Sequence, residues 1–468
     1  MSGLRRSLVL GSPRELGTVG LVSGLCGAYA AVLIMTGVFL VTVADEAGGG
    51  VAAVLGVVAT VFIGIAVYVG AIVMVNGVDT VLAGRLSQIA LLRLLGARGR
   101  SLRGAVVRGT TLTGVVGALV GTAIGTVTAD VFRVVLVARG VLPDVTYPFA
   151  SMLLALPLVT MTPACVVAGW VGSRRILRVT PAAALSGSSV TPVLRRRTSV
   201  VRATLAGLMI AGGSGLLALA GLLGEEGGTP AGFVVAFAGS VVAGTGLLLG
   251  ARFVIPWLVG MVSRLLGTGP VARVAGRNAV LDPLRTTRST MGLVVGVTLV
   301  TTFSSGLRAL QQSVGSWDLS PADEVQMHRL LSTTTAVMIA IVVISAIISA
   351  VGFVSTMSLT VIQRHREIGL LRTLGLTPAQ VRRMITLEAA ALSGTAVVFG
   401  LALGVVFGSF GAQSLVGSMT DGFVWGLPWS ILGAIAAAGL ALVLVSARPP
   451  ARRAIRISPI EALRVPAT

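Results

Sequence analysis

No lysine occurs among the 468 residues. That absence excludes the phosphate-gripping lysine of a Walker A nucleotide site and the lysine of a Schiff-base enzyme. Charge of any kind is scarce: 11% of residues are charged, against about 25% in soluble globular chains. Cysteine occurs twice, as Cys26 and Cys165 within apolar runs, which excludes a disulfide framework and a zinc cluster. The two histidines, His328 and His365, stand too far apart in sequence for a His-rich metal site. What is abundant is apolar. Hydrophobic residues make up 54% of the chain, and the mean hydropathy is +0.96. A chain this apolar cannot hide its surface in a water-soluble core; it needs lipid.

Crossing about 30 Å of hydrocarbon takes about 20 helical residues. Runs of that kind lie at 17–43, 51–77, 106–129, 149–171, 201–223, 231–255, 290–306, 332–360, 388–411 and 429–447. They predict an all-α polytopic membrane protein with about ten transmembrane helices and both termini on one side. Ala28-Tyr29-Ala30 looks like a signal-peptidase site, but the apolar run continues to Val43. A signal h-region is only about 7–15 residues long, so a retained helix is expected.

The formal net charge is +20, and all 36 basic residues are arginine. With ten spans, only Arg133, Arg139, Arg308 and Arg329 fall on the side opposite the termini. That side also holds most of the acids, among them Asp45, Glu46, Asp130, Asp144, Glu225 and Glu226. The positive-inside rule then places the arginines and both termini in the cytoplasm. Arginines distributed along the ends of spans are no nucleic-acid footprint, so no nucleic-acid partner is expected.

The sequence repeats itself. Residues 88–96 (Gln-Ile-Ala-Leu-Leu-Arg-Leu-Leu-Gly) recur 279 residues later as 367–375 (Glu-Ile-Gly-Leu-Leu-Arg-Thr-Leu-Gly), and Gly121 and Gly125 recur as Gly400 and Gly404. Ser173-Arg174-Arg175-Ile176-Leu177-Arg178-Val179-Thr180-Pro181 matches Ala451-Arg452-Arg453-Ala454-Ile455-Arg456-Ile457-Ser458-Pro459. The expected organisation is a four-helix unit at 1–190, two intervening helices at 191–265, and a second four-helix unit at 266–468. Both matches lie on the same side, so the two units are parallel repeats.

In the second copy, Arg364, Glu367 and Arg372 interleave with Ile368, Leu371 and Leu374 at i, i+3 spacing, which predicts one apolar helix face. Gly375 fits a helix stop. Thr377-Pro378-Ala379-Gln380 reads as a capping box that starts a new helix running into the next span. The expectation is a cytoplasmic helix–break–helix elbow fixed to two spans. Such an elbow suits a soluble partner. It equally suits an interfacial helix with its arginines at anionic lipid. The doubled Leu-Leu-Arg-x-Leu-Gly spacing favours the partner, because lipid does not demand it twice.

The stretch Arg364–Gly375, its Thr-Pro-Ala-Gln-Val-Arg-Arg continuation and the C-terminal Ala451-Arg452-Arg453…Ser458-Pro459-Ile460-Glu461-Ala462-Leu463-Arg464 resemble the FtsX-like, or MacB-type, ABC transporter permease family. The 4 + 2 + 4 arrangement is similar to its ten-span members. The resemblance implies a non-catalytic subunit served by two copies of an ABC ATPase, which would bind ATP and Mg in place of any cofactor in this chain. It further implies that ATP-driven closure is transmitted mechanically through the membrane to export or extract an amphipathic or lipid-like cargo or a peptide. The alternative is an ATPase-driven regulator of an extracellular, lipoprotein, cell-wall hydrolase or sensor-kinase partner, with no cargo. By the same resemblance, Gln88, Leu92, Arg93, Leu95 and Gly96, with Glu367, Leu371, Arg372, Leu374 and Gly375, would contact the ATPase. Gln88 stands where the second copy has an acid, and the first copy has Arg98-Gly99-Arg100-Ser101 in place of the Thr-Pro cap, so the two faces are expected to differ. Many relatives also carry a sizeable extracellular domain, and none is visible here.

Gly117, Gly121 and Gly125, and Gly400, Gly404 and Gly408, form ridges at four-residue spacing that allow close helix packing. They would serve intrachain packing or, more sharply, a moving interface. Span centres hold almost no ionisable groups, which argues against an ion-coupled carrier. Trp425 and Trp429 fit an outer interfacial belt. Abundant Ala, Gly, Val and Arg without Lys suggest a GC-rich bacterial genome, and with the predicted spans the expected location is a bacterial plasma (inner) membrane, crossed many times.

Overall fold

A computed structural model describes residues 13–47, 56–61, 63–65, 67–72, 75, 99–140, 142–178, 200–227, 231–267, 269–281, 283–314, 365–420, 422–438 and 441. Every regular element among them is helical. The longer ones are α1 (Pro13–Ala47), α2 (Gly99–Ala138), α3 (Ala155–Arg178), α4 (Val200–Gly227), α5 (Ala231–Leu265), α6 (Pro270–Leu281), α7 (Pro283–Ser313), α8 (His365–Thr373) and α9 (Pro378–Val416). Six carry stretches long and apolar enough to cross a bilayer: Gly20–Val43, Ser101–Ala138, Val200–Glu226, Ala231–Leu265, Thr290–Ser313 and Pro378–Met419. Gly56–Ile72, Met152–Val167 and Trp429–Ala438 are shorter apolar helices. The protein is an all-α polytopic membrane protein. Each of these nine stretches overlaps a run expected from hydropathy; the run at 332–360 lies outside the described residues.

Two helices outrun their expected spans. α2 continues through 130–138, a stretch the sequence places beyond the expected span, and Asp130 and Arg133 pair within it at 2.7 Å, one turn apart. α9 begins at Pro378, as the Thr377 cap predicts, and runs through the expected span to Val416, five residues past its expected end.

The chain divides into two compact units. The first holds α1, α2, α3, the 56–75 stretch and the opening of α5. Its centre is α1, whose residues Ala30–Met35 are all buried. Gly37 lies against Ala59, and a Cβ on Gly70 would stand 2.7 Å from the Met161 Cε. At the end of α2, the segment after Gly140 folds back. Tyr147 packs edge-on to Phe39 at 5.5 Å, receives the Arg133 guanidinium over its ring, and donates to the Pro143 carbonyl at 3.0 Å.

The second unit holds α4, the rest of α5, and α6–α9. Its core joins Ile255 and Val259 of α5, Ala275 and Ala279 of α6, Met291, Val294 and Val297 of α7, and Ile385, Leu392 and Ala396 of α9. At the far end of α9 a strap at 422–428 is sewn onto the bundle. Gly426 donates from its N–H to Ser409 Oγ (3.1 Å), and Ser305 Oγ donates to the Gly426 carbonyl (2.5 Å). Gln413 donates to Glu225 (3.1 Å) and accepts from the Val424 N–H (3.4 Å). Phe410, Phe423 and Trp425 stack in sequence at 4.9 and 4.8 Å.

Candidate functional site

The elbow joins α8 to α9 within the second unit. α8 ends in a Schellman turn: Gly375 N–H donates to the Arg372 carbonyl (3.1 Å) and Leu376 N–H to the Leu371 carbonyl (3.1 Å). Gly375 takes the left-handed conformation this turn needs, with φ +98°. Two residues on, Thr377 caps α9. Its Oγ1 accepts from Gln380 N–H at 3.3 Å, and Gln380 Oε1 accepts from Thr377 N–H at 2.8 Å. This reciprocal box, with Pro378 at the first helical position, satisfies donors that would otherwise be orphaned. The break between the helices is therefore held by hydrogen bonds on both sides.

Side-chain placement splits the face expected to be apolar. Ile368 is 4% exposed and belongs to the core with Val381, Met384 and Ile385. Leu371 is partly buried against the same core, as is Leu376 across the Schellman turn. Leu374 instead stands 72% exposed, because α8 stops at Thr373 and the turn carries the next residue off the helical face. Leu370, one turn before it, is 52% exposed. The outward apolar pair is thus Leu370 and Leu374, and hydropathy spacing gave no sign of Leu370. Arg372 is half-buried in the last turn of α8, where a cation suits the carbonyl end of a helix. Thr373, Gly375, Ala379, Arg382 and Arg383 are exposed around the leucines. Glu367 lies in the α8 backbone. Gln88, Leu92, Arg93, Leu95 and Gly96 lie outside the described residues.

The two glycine ridges each line a helix pair. On α2, Gly117 faces Gly20 and Ser23, Gly121 faces Gly24, and Gly125 faces Ala28, all on α1. On α9, Gly400 faces Val297, Gly404 faces Thr298 and Thr301, and Gly408 faces Ser305 and Gly306, all on α7. A Cβ at any of the six would overlap its neighbour. The first ridge meets mostly backbone and the second meets β-branched and hydroxyl side chains. Thr298 and Thr301 bury their Oγ1 atoms there without a hydrogen bond.

A second element at this end escaped sequence reasoning. α6 packs Ala272, Ala275 and Ala279 inward, and its Asn278 reaches Met384 near the start of α9. Alanines at three- and four-residue spacing were the available signal. Among the described residues no cluster of His, Cys, Asp or Glu could hold a metal ion.

The family profile described as FtsX-like permease C-terminal matches the chain twice, over residues 60–181 and 339–459. The chain is similar to an uncharacterized ABC transporter permease, MJ1507, of Methanocaldococcus jannaschii, with 27% identity over 163 residues, 34% of this chain and 40% of that protein. It is similar to the ABC transporter permease YtrF of Bacillus subtilis, with 30% identity over 139 residues, 26% of this chain and 30% of that protein. It is also similar to the macrolide export ATP-binding/permease protein MacB of Nitrobacter winogradskyi, with 36% identity over 124 residues, 26% of this chain and 18% of that protein. The chain therefore spans less than half the length of these relatives.

Proposed function

From the premise that the chain belongs to the FtsX-like permease family, we propose that it is the membrane-spanning permease subunit of an ABC transporter. MacB carries both ATP binding and permease in its name. These residues include no lysine to grip a nucleotide phosphate, and in this reading ATP and Mg are bound by an ABC ATPase subunit, present in two copies. One copy meets the elbow around Glu367, Arg372, Leu374 and Gly375, with Leu371 supporting it from beneath. The other meets the matching stretch at Gln88, Leu92, Arg93, Leu95 and Gly96. The protein sits in the bacterial plasma membrane with its arginine-rich side and both termini in the cytoplasm. Its organisation is two parallel four-helix units, 1–190 and 266–468, around two helices at 191–265. Hydrolysis in the partner moves the helices and drives export or extraction of an amphipathic or lipid-like cargo or peptide.

The observation that carries this reading is the exposed Leu370–Leu374 pair, presented on a junction fixed by the Gly375 turn and the Thr377 box. Two exposed leucines on a rigid tip suit a shallow apolar groove on a soluble partner. The test is copurification with the cognate ATPase from membranes. Leu370→Asp with Leu374→Asp is expected to abolish ATPase retention and its stimulation while leaving the melting temperature of the permease unchanged. An ATPase retained and stimulated as in the unmodified protein would overturn the proposal.

A further inference from the structure

α5 is too long for the bilayer it crosses. It has 35 residues, where about 20 suffice. The first stretch, Ala231 to Gly250, is already enough. At that point arginines appear: Arg202 of α4 donates from Nε to the Leu249 carbonyl at 3.0 Å, and Arg252 lies over the Phe253 ring at 5.0 Å. An arginine in hydrocarbon is costly, so this pair marks the headgroup level, and residues 251–265 continue beyond it. Pro256 sits inside the helix at the same place and removes the backbone bond to the Arg252 carbonyl.

The continuation is not a polar stalk. Ala251, Ile255 and Val259 face the core of the second unit. The opposite face carries Trp257, Met261 and Leu265 at four-residue spacing, exposed by 64%, 47% and 86%. α6 returns beside it, with Gly276 against Ser263 and Val280 against Gly260. α6 turns Val274 and Leu281 outward together with Arg273 and Arg277. Arg264 is exposed at the end of α5. Among the described side chains of 251–281 there is no carboxylate. The Arg252 Nε is buried and makes no hydrogen bond.

We propose that the end of α5 and the outward face of α6 form a binding surface for anionic phospholipid in the adjacent leaflet. After Pro256, where a helix can bend, the stretch lies along the interface, so that Trp257, Met261 and Leu265 enter the acyl boundary, and Arg264, Arg273 and Arg277 hold headgroup phosphates. The charge decides the occupant. A stripe of tryptophan, methionine and leucine flanked only by arginine matches an interface that is apolar below and anionic above, and tryptophan favours that depth. The surface adjoins the elbow, with which α6 shares a core, but it uses none of the elbow's exposed residues and needs no ATPase.

The test uses the full chain, without ATPase, in vesicles of phosphatidylcholine alone or with phosphatidylglycerol. Phosphatidylglycerol is expected to raise the melting temperature by several degrees in the unmodified protein, and the triple variant R264Q/R273Q/R277Q is expected to lose that shift. Brominated lipid is expected to quench more fluorescence in the unmodified protein than in W257F, the difference being the contribution of Trp257. The absence of a phosphatidylglycerol shift, or its persistence in the triple variant, would overturn the proposal. So would a Trp257 quenched by aqueous acrylamide and not by brominated lipid, an outcome that assigns the surface to an acidic protein partner instead.

Discussion

Gly404 rests on Thr301 so closely that a methyl group on the glycine would overlap the threonine Cβ and stand 2.8 Å from its Cγ2. Gly125 rests on Ala28 in the same way, its Cβ position 2.7 Å from the alanine Cα. One turn earlier, Gly400 meets Val297 and Gly121 meets Gly24. The glycines repeat in sequence while their partners do not resemble one another, yet each ridge meets its partner helix at the same turn-by-turn register. The repeat is therefore one of packing geometry as well as of motif.

The two ridges should respond differently to repair. Gly400→Ala is opposed by the Val297 side chain at 2.8 Å and is expected to cost about 1–3 kcal/mol; Val297→Gly in the same chain should restore part of it. Gly121→Ala is opposed by the Gly24 backbone, where no side chain remains to trim, so no such rescue is expected. Thermal melting in detergent compares the two.

Gly375 has open space where its Cβ would be, so substitution there acts through backbone conformation alone. Gly375→Val should cost about 1–2 kcal/mol and lower ATPase stimulation more than it lowers the melting temperature. Gly375→Asn should be milder, because asparagine tolerates the left-handed region. Thr377→Ala removes the cap and should cost about 1 kcal/mol. Helical circular dichroism on melting, together with ATP turnover, checks all three.

Gln413 holds the strap at 422–428 through Glu225, the Gly422 carbonyl and the Val424 N–H. Gln413→Leu leaves the Val424 N–H unpaired and should cost about 1–3 kcal/mol, released locally. The expected readout is faster protease cleavage within 417–428, with α9 otherwise intact.

Tyr147 gives the first unit a counterpart to that strap. Tyr147→Phe removes the hydroxyl that donates to Pro143 and should cost about 1 kcal/mol. Tyr147→Ala also removes the packing on Phe39 and the cation–π contact with Arg133, and should cost about 3–5 kcal/mol. A melting series distinguishes the two.

Much of this was legible in the residues themselves. Hydropathy located the long helices, and Thr377-Pro378-Ala379-Gln380 announced a cap whose hydrogen bonds are present. Glycine spacing marked two close-packing faces. What spacing could not name was the partner, because α1 and α7 present unlike residues to the ridges. The sequence also could not say which leucine of the elbow faces outward. That depends on where α8 stops, and a single left-handed residue decides it. Asp130 and Arg133 look like loop residues until their one-turn separation is seen to close an ion pair inside α2. α6 escaped hydropathy because it is only 12 residues long and Arg273, Arg277 and Asn278 interrupt its apolar residues, although its alanines are what let that helix lie close to α9.

After Pro378, α9 runs 38 further residues to Val416 with no internal proline, a length of about 57 Å at 1.5 Å per residue. Proline, one cause of sharp kinks, does not interrupt it, and its small-residue pairs Ser393-Gly394 and Gly408-Ser409 are where bending is expected. One continuous helix thus carries the elbow cap at one end and the strap contacts near the other. If the elbow is driven as proposed, a shift at Thr377 is expected to register at the other end of the same helix, where Gln413 grips the strap.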